Sequence, residues 1–173
     1  MKAKRILVIG CPGAGKSTLS LELAELSGLP LIHLDKEYWK KDWQEPAKEE
    51  WHKKVDELIS ADKWILDGNY GGTMERRLAR ADAVIFLDYP RLVCLWSALK
   101  RQIQFHGKTR PDMGPECEET LDFVFLKYVW GFKKQERRKI CKLLEKVKVP
   151  VITLKNRAEA DDFLDKLEEA NKR

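Results

Sequence analysis

Residues Gly10-Cys11-Pro12-Gly13-Ala14-Gly15-Lys16-Ser17 constrain the fold of this chain more than any other segment. They follow a short apolar run, Arg5 to Ile9, and lead straight into a helical pattern, Leu19 to Leu26. A strand must therefore end and a helix begin across a handful of residues. Glycine at both ends of the turn lets the backbone curl so that successive N–H groups point inward, and the helix N-terminus that follows adds its partial positive charge. The product is a cradle for an anion at the carboxyl end of a strand, an arrangement that belongs to α/β folds.

The remainder of the sequence fits that class. Apolar runs bounded by turn residues recur at Arg5 to Ile9, Leu29 to Leu34, Lys63 to Leu66, Ala83 to Leu87 and Val149 to Leu154, and most are continuous rather than alternating. Strands of that kind are buried on both faces, as in a parallel sheet. Helical patterns separate them at Lys16 to Ser27, Ala47 to Ser60, Thr73 to Ala79, Pro90 to Phe105, Glu118 to Lys146 and Ala158 to Ala170. The alternation predicts a three-layer α/β sandwich around a mainly parallel five-stranded sheet with right-handed crossovers. There is no internal repeat, low-complexity tract or interdomain linker, so residues 1–173 read as one domain. Two polar, turn-rich segments interrupt the alternation. One begins at Asp35 and runs through Pro46, opening an insertion of about 35–62, and the other, about 106–116, has the composition of a lid.

Apolar residues at 43% and charged residues at 35% exclude a disordered tail. The apolar start is too short for an export signal, and no stretch approaches the roughly 20 residues of a membrane span, which predicts a soluble, cytoplasmic protein. Cys11, Cys94, Cys117 and Cys141 are widely spaced and form no metal or disulfide framework, so Cys11 reads as a small filler within the loop. The formal charge of +5 is compatible with anionic substrates but reads first as a solvated surface.

Glycine-x4-glycine-lysine-serine in this context points to the phosphates of ATP or GTP together with Mg²⁺. Gly10, Pro12, Gly13, Ala14 and Gly15 form the cradle, Lys16 offers an ammonium to the β- and γ-phosphates, Ser17 a hard oxygen to Mg²⁺, and Thr18 a hydrogen bond to the α-phosphate. Aspartates stand at the ends of further apolar runs. Asp67 and Asp88 both suit a second metal-side carboxylate; Asp88 also suits a helix cap ahead of Pro90, whereas Asp67 precedes the flexible turn Gly68 to Gly72, and Asp67 is favoured. Asp35 could accept a proton from an acceptor hydroxyl or cap a strand end, and His33 reads as a packed side chain. Arg101 and Arg110 bracket the second polar segment and can bring positive charge to a migrating phosphoryl group. Arg76, Arg77, Arg137 and Arg138 read as weaker candidates. Tyr38, Trp39, Trp43 and Trp51 form either a stacking wall for a planar substrate or an anchor of the loop on the core.

Taken together, these motifs resemble the adenylate-kinase-like P-loop kinases, a group that includes shikimate and gluconate kinases, and more closely the FlaR-like DNA topology modulation proteins. The resemblance runs over nearly the whole chain, through Gly10 to Thr18, Leu34-Asp35 with Tyr38-Trp39, Trp64 to Tyr70, Phe86 to Arg91, Lys100-Arg101, Thr109 to Asp112 and Leu154 to Arg157. It implies the strand order 2-3-1-4-5, Asp67 as the metal-side carboxylate, Arg101 and Arg110 on the phosphates, and Asn156 and Arg157 beside the nucleotide base. It departs from adenylate kinases after Asp67, where Asp-Gly-Asn-Tyr-Gly-Gly holds no arginine to grip a monophosphate, and in segment 35–46, which lacks their acceptor pattern. The expectation is a Mg²⁺-dependent kinase that moves the γ-phosphoryl group of ATP to a small-molecule hydroxyl or phosphate acceptor. The alternative is a nucleic-acid-associated regulator switched by ATP, suggested by the basic run from Arg137 through Lys148 and by the FlaR-like resemblance.

Overall fold

The computed structural model describes residues 3–172. Five parallel strands form one sheet, as the alternation predicts, in the order β2-β3-β1-β4-β5 that the resemblance implies. They are β1 (Arg5–Gly10), β2 (Leu31–His33), β3 (Trp64–Asp67), β4 (Ala83–Leu87) and β5 (Val151–Leu154). Burial follows the order. Every residue of β3 and β4 is buried, as are Ile6 to Gly10 of β1, while the edge strands β2 and β5 are only partly covered. That is the gradient expected of a sheet with helices on both faces. The register aligns Val8 with Asp67 and Gly10 with Leu87, so the carboxyl ends of the central strands share one rim.

Among the described residues, eight α-helices connect and cover the strands: α1 (Lys16–Ser27), α2 (Leu34–Tyr38), α3 (Lys48–Ser60), α4 (Met74–Arg80), α5 (Arg91–Gln104), α6 (Phe123–Gly131), α7 (Glu136–Leu144) and α8 (Arg157–Asn171). Helix α1 stops at Gly28, which adopts φ 67° and donates its N–H to the Ala24 carbonyl. Helix α3 buries Trp51, Val55 and Ile59, one stripe at a spacing of four. At the start of α8 the Asn156 side chain accepts from the Glu159 N–H at 2.9 Å while the Glu159 carboxylate reaches back to the Lys155 N–H at 2.8 Å. This reciprocal cap satisfies donors that the first turn leaves free. No described helix is long and apolar enough to cross a membrane.

The helix expected over Glu118 to Lys146 is instead two helices preceded by an extended clasp. Residues 118 and 119 bridge back to Thr109 and His106, and Asp122 then caps α6 by accepting from the Val124 and Phe125 N–H groups. The chain turns after Gly131 so that Val129 and Phe132 are buried on one side of the break and Ile140 on the other. The basic run lies partly on α7, where Arg137 and Lys139 are tied to Asp88 and Glu136. The strand expected from Leu29 to Leu34 shortens to Leu31–His33, because Leu34 already opens α2.

Candidate active site

The rim of the sheet opens into a cavity of about 1600 Å³ that gathers residues from the phosphate loop, β2, β3, α5, the 106–116 segment, α6 and α8. The loop is built as its sequence demands. Gly13 lies at φ 82°, and a Cβ there would stand 2.2 Å from the Cys94 carbonyl on α5, so only glycine lets the loop rest on that helix. Cys11 is buried in the same contact, as a filler would be. Pro12, Gly13, Ala14, Gly15, Lys16, Ser17 and Thr18 all line the cavity, and Lys16 Nζ donates to the Cys11 carbonyl at 3.3 Å.

A clamp that the sequence reading missed holds the start of this loop. The Asn69 side chain accepts the Gly10 N–H at 3.0 Å and donates to the Gly10 carbonyl at 2.8 Å. Asn69 sits in the turn expected to be flexible, and that turn is tied down. Arg77 is fully buried and donates to the carbonyls of Gly68 (2.9 Å), Asn69 and Tyr70 (2.9 Å) and to Thr73 Oγ1 at 3.2 Å. Burial pulls its pKa down to about 9, which still leaves it charged at neutral pH. Tyr70 is held at φ 38°, and its ring packs on Tyr38 and Trp51. The Asn and Arg were visible only as a polar residue in a turn and one of several helix arginines.

Asp67, at the end of β3, is 5% exposed. One carboxylate oxygen lies 3.0 Å from His33 Nδ1, and the other, Oδ1, is buried without a hydrogen-bond partner. Burial opposes protonation of His33, but its hydrogen bond to Asp67 and the surrounding carboxylates outweigh this and raise its pKa. His33 lines the cavity, set beside Asp67 by the parallel register of β2 and β3. Asp88 is not a helix cap and does not line the cavity: α5 starts after Pro90 with no side-chain cap, and both Asp88 oxygens accept from Arg137 at 2.6 Å.

Asp35, in α2, lines the cavity and accepts from the Tyr70 hydroxyl at 2.7 Å. Burial raises its pKa, an effect that the Tyr70 hydrogen bond and the charges of Lys16 and Arg110 partly offset. Arg101 and Arg110 converge on Glu119, which is 3% exposed. Their Nε atoms stand 3.6 and 2.6 Å from its Oε1, off the line of the N–H bonds, and Arg110 also donates to both oxygens of Asp112. Burial and the neighbouring Arg110 charge lower the pKa of Arg101. Arg157 lines the cavity at the β5 end; Asn156 caps α8 and does not.

The two polar segments interlock instead of forming separate loops. Trp43 Nε1 donates to the Glu118 carbonyl at 2.9 Å, the Asp42 N–H donates to the Glu116 carbonyl at 3.3 Å, and Cys117 Sγ donates to the Lys40 carbonyl at 3.3 Å. Gly114 packs so tightly that a Cβ would fall 2.2 Å from the Trp39 carbonyl. The aromatic residues divide between core and cavity. Trp51 is buried in the core, whereas Trp39 and Trp43 line the cavity in edge contact, with centroids 5.4 Å apart.

The same architecture recurs in solved structures. The shikimate kinase of Acinetobacter baumannii in complex with shikimate matches 98% of this chain and 93% of its own, with a TM-score of 0.60 and 18% identity. The shikimate kinase of Bacteroides thetaiotaomicron covers 99% of each chain at a TM-score of 0.58 and 17% identity. This chain has the P-loop kinase fold. In sequence it is 28% identical over 145 residues to the adenylate kinase of Thermosipho melanesiensis, a match that spans 82% of this chain and 63% of that relative. No protein-family profile matches it.

Proposed function

We propose that the chain is an ATP-dependent, Mg²⁺-assisted phosphotransferase acting on a small-molecule acceptor. The observation that carries this reading is the meeting, in one cavity, of the phosphate loop, the buried carboxylate of Asp67 with its unpartnered oxygen, Asp35, and the arginines Arg101 and Arg110. The likeness to adenylate kinase in sequence and to shikimate kinases in fold supports the same class.

Residues Gly10 to Gly15 shape the loop around the phosphates, with Gly10 held by Asn69 and the N–H groups of Gly13 and Gly15 toward them, Lys16 neutralises the β- and γ-oxygens, and Thr18 serves the α-phosphate. Ser17 and Asp67 fit Mg²⁺, a hard cation that keeps several waters and takes only one or two protein oxygens beside those of the phosphates. When bound, that ion neutralises the charge that develops on the phosphate oxygens. Asp35 accepts the proton of an acceptor hydroxyl as its oxygen bonds to the γ-phosphorus and the bridging bond to ADP breaks. The terminal nitrogens of Arg101 and Nη2 of Arg110 serve the equatorial oxygens of the migrating group, with Glu119 close to both inner nitrogens and Asp112 holding Nη1 of Arg110. Arg157 borders the nucleotide base. The segment 106–116 acts as a lid over the transfer, and 35–62 carries the acceptor side within a single domain.

The test is ATP binding and ADP formation across a broad acceptor panel, wild type against Lys16→Ala. The variant is expected to lose ATP-dependent thermal stabilisation and turnover together. If it retains both, the reading fails.

A further inference from the structure

We infer that the acceptor is an uncharged alcohol carrying a flat ring, and that a phosphate or carboxylate on the acceptor is rejected. This rests on the kinase reading above and names its second substrate class. The carboxyl-end segments 31–46 and 64–80 wall the cavity opposite the nucleotide side, and among the described residues neither contributes a lysine or arginine to its lining. They contribute the carboxylates Asp35, Glu45 and Asp67 and the rings of Trp39 and Trp43.

The cations nearest in sequence are committed elsewhere. Arg76 pairs with Asp56 at 2.5 Å, Arg77 is buried beneath the β3 turn, and Arg80 donates to the Ile59 carbonyl at 3.3 Å. Lys40 is held by Glu50 at 2.9 Å and Lys54 by Glu37 at 2.7 Å. On the opposite wall Arg101 and Arg110 already face the carboxylates of Glu119 and Asp112, so they present no net positive charge to a second anion. On this wall an anionic acceptor would face three carboxylates with only His33, itself paired with Asp67 at 3.0 Å, to meet it, while Lys100 of α5 is exposed.

What remains is suited to a neutral ring with a hydroxyl. Tyr70 occupies one oxygen of Asp35, and the other is left for the acceptor's O–H. Trp43 spends its indole N–H on the Glu118 carbonyl, so it offers the cavity its ring rather than a donor. Trp39 stands against it, and the pair makes an apolar surface beside a carboxylate.

The experiment uses the full chain and matched probes: thymidine with thymidine 5′-monophosphate, and benzyl alcohol with mandelate. Binding is followed by tryptophan fluorescence in the presence of ATP, and turnover by ADP release. In at least one pair the neutral member is expected to bind at least tenfold more tightly than the anionic one, and Trp39→Ala to weaken that binding at least tenfold. If no pair shows that preference, the inference is overturned, as it is if neither neutral probe binds at millimolar concentration. ATP-dependent thermal stabilisation, compared between wild type and Lys16→Ala, is measured in parallel. Its absence in the wild type sinks the kinase reading itself, whereas its presence with an anionic preference sinks only the acceptor class.

Discussion

Replacing Asn69 by leucine keeps the side chain's bulk and removes both bonds to Gly10, at 3.0 and 2.8 Å. Each lost bond withdraws about 1 kcal/mol of net stabilisation, and a backbone group left buried without a partner costs about 1–3 kcal/mol. Since Gly10 loses a partner for its N–H and one for its carbonyl, the expected loss is about 2–6 kcal/mol. For a chain of this size that lowers Tm by roughly 4–24 °C. Gly10 begins the phosphate loop, so ATP affinity is expected to fall at least tenfold, because nucleotide must then order the loop entry as it binds. Urea unfolding followed by circular dichroism, together with isothermal titration of ATP, measures both effects. Asn171→Ala is the control: it removes an exposed bond to the Leu26 carbonyl far from the cavity and should shift stability by no more than about 0.5 kcal/mol. If Asn69→Leu behaves like the control in both assays, the clamp does not set the geometry of the loop.

Arg77→Met leaves the carbonyls of Gly68, Asn69 and Tyr70 short of a donor and should cost at least about 3 kcal/mol in urea unfolding. Tyr70→Phe removes a hydrogen bond that favours the ionised form of Asp35, so the acid limb of the kcat/KM profile should move to higher pH; an unmoved limb would exclude Asp35 as the titrating base. Asp82, whose pKa is lowered chiefly by its hydrogen bond to Arg5, stabilises the fold above the ordinary carboxylate value of 3.8. That contribution is lost as pH falls through the depressed folded value, and Asp82→Asn should abolish this part of the acid dependence of the urea midpoint. Gly114→Ala should part segment 106–116 from Trp39 and red-shift the tryptophan emission without altering the far-ultraviolet spectrum.

The sheet was legible because its strands are short continuous apolar runs closed by aspartate or glycine, and their burial leaves little room for another layer arrangement. Lys16, Ser17, Asp67, Arg101 and Arg110 were legible as chemistry at strand and helix ends, and all line the cavity. What escaped were long-range polar pairings. Asp88 before Pro90 looked like a cap, and only the fold brings Arg137 to it from 49 residues away. Asn69 looked like turn filler until β1 and β3 lay side by side. The run Glu118 to Lys146 reads as helical, yet residues 118 and 119 pair with Thr109 and His106, a contact that only the fold creates. Local pattern reports a preference; pairing across the sheet decides which groups must be satisfied.

The contacts joining segment 35–46 to residues 106–119 have a kinetic corollary. Trp43 with Glu118, Gly114 with Trp39 and Cys117 with Lys40 couple the two walls directly, so neither can swing away without breaking bonds to the other. They form one door with two panels. Traffic past either panel then waits on a single shared opening step, and a substitution in one panel alters exchange at both.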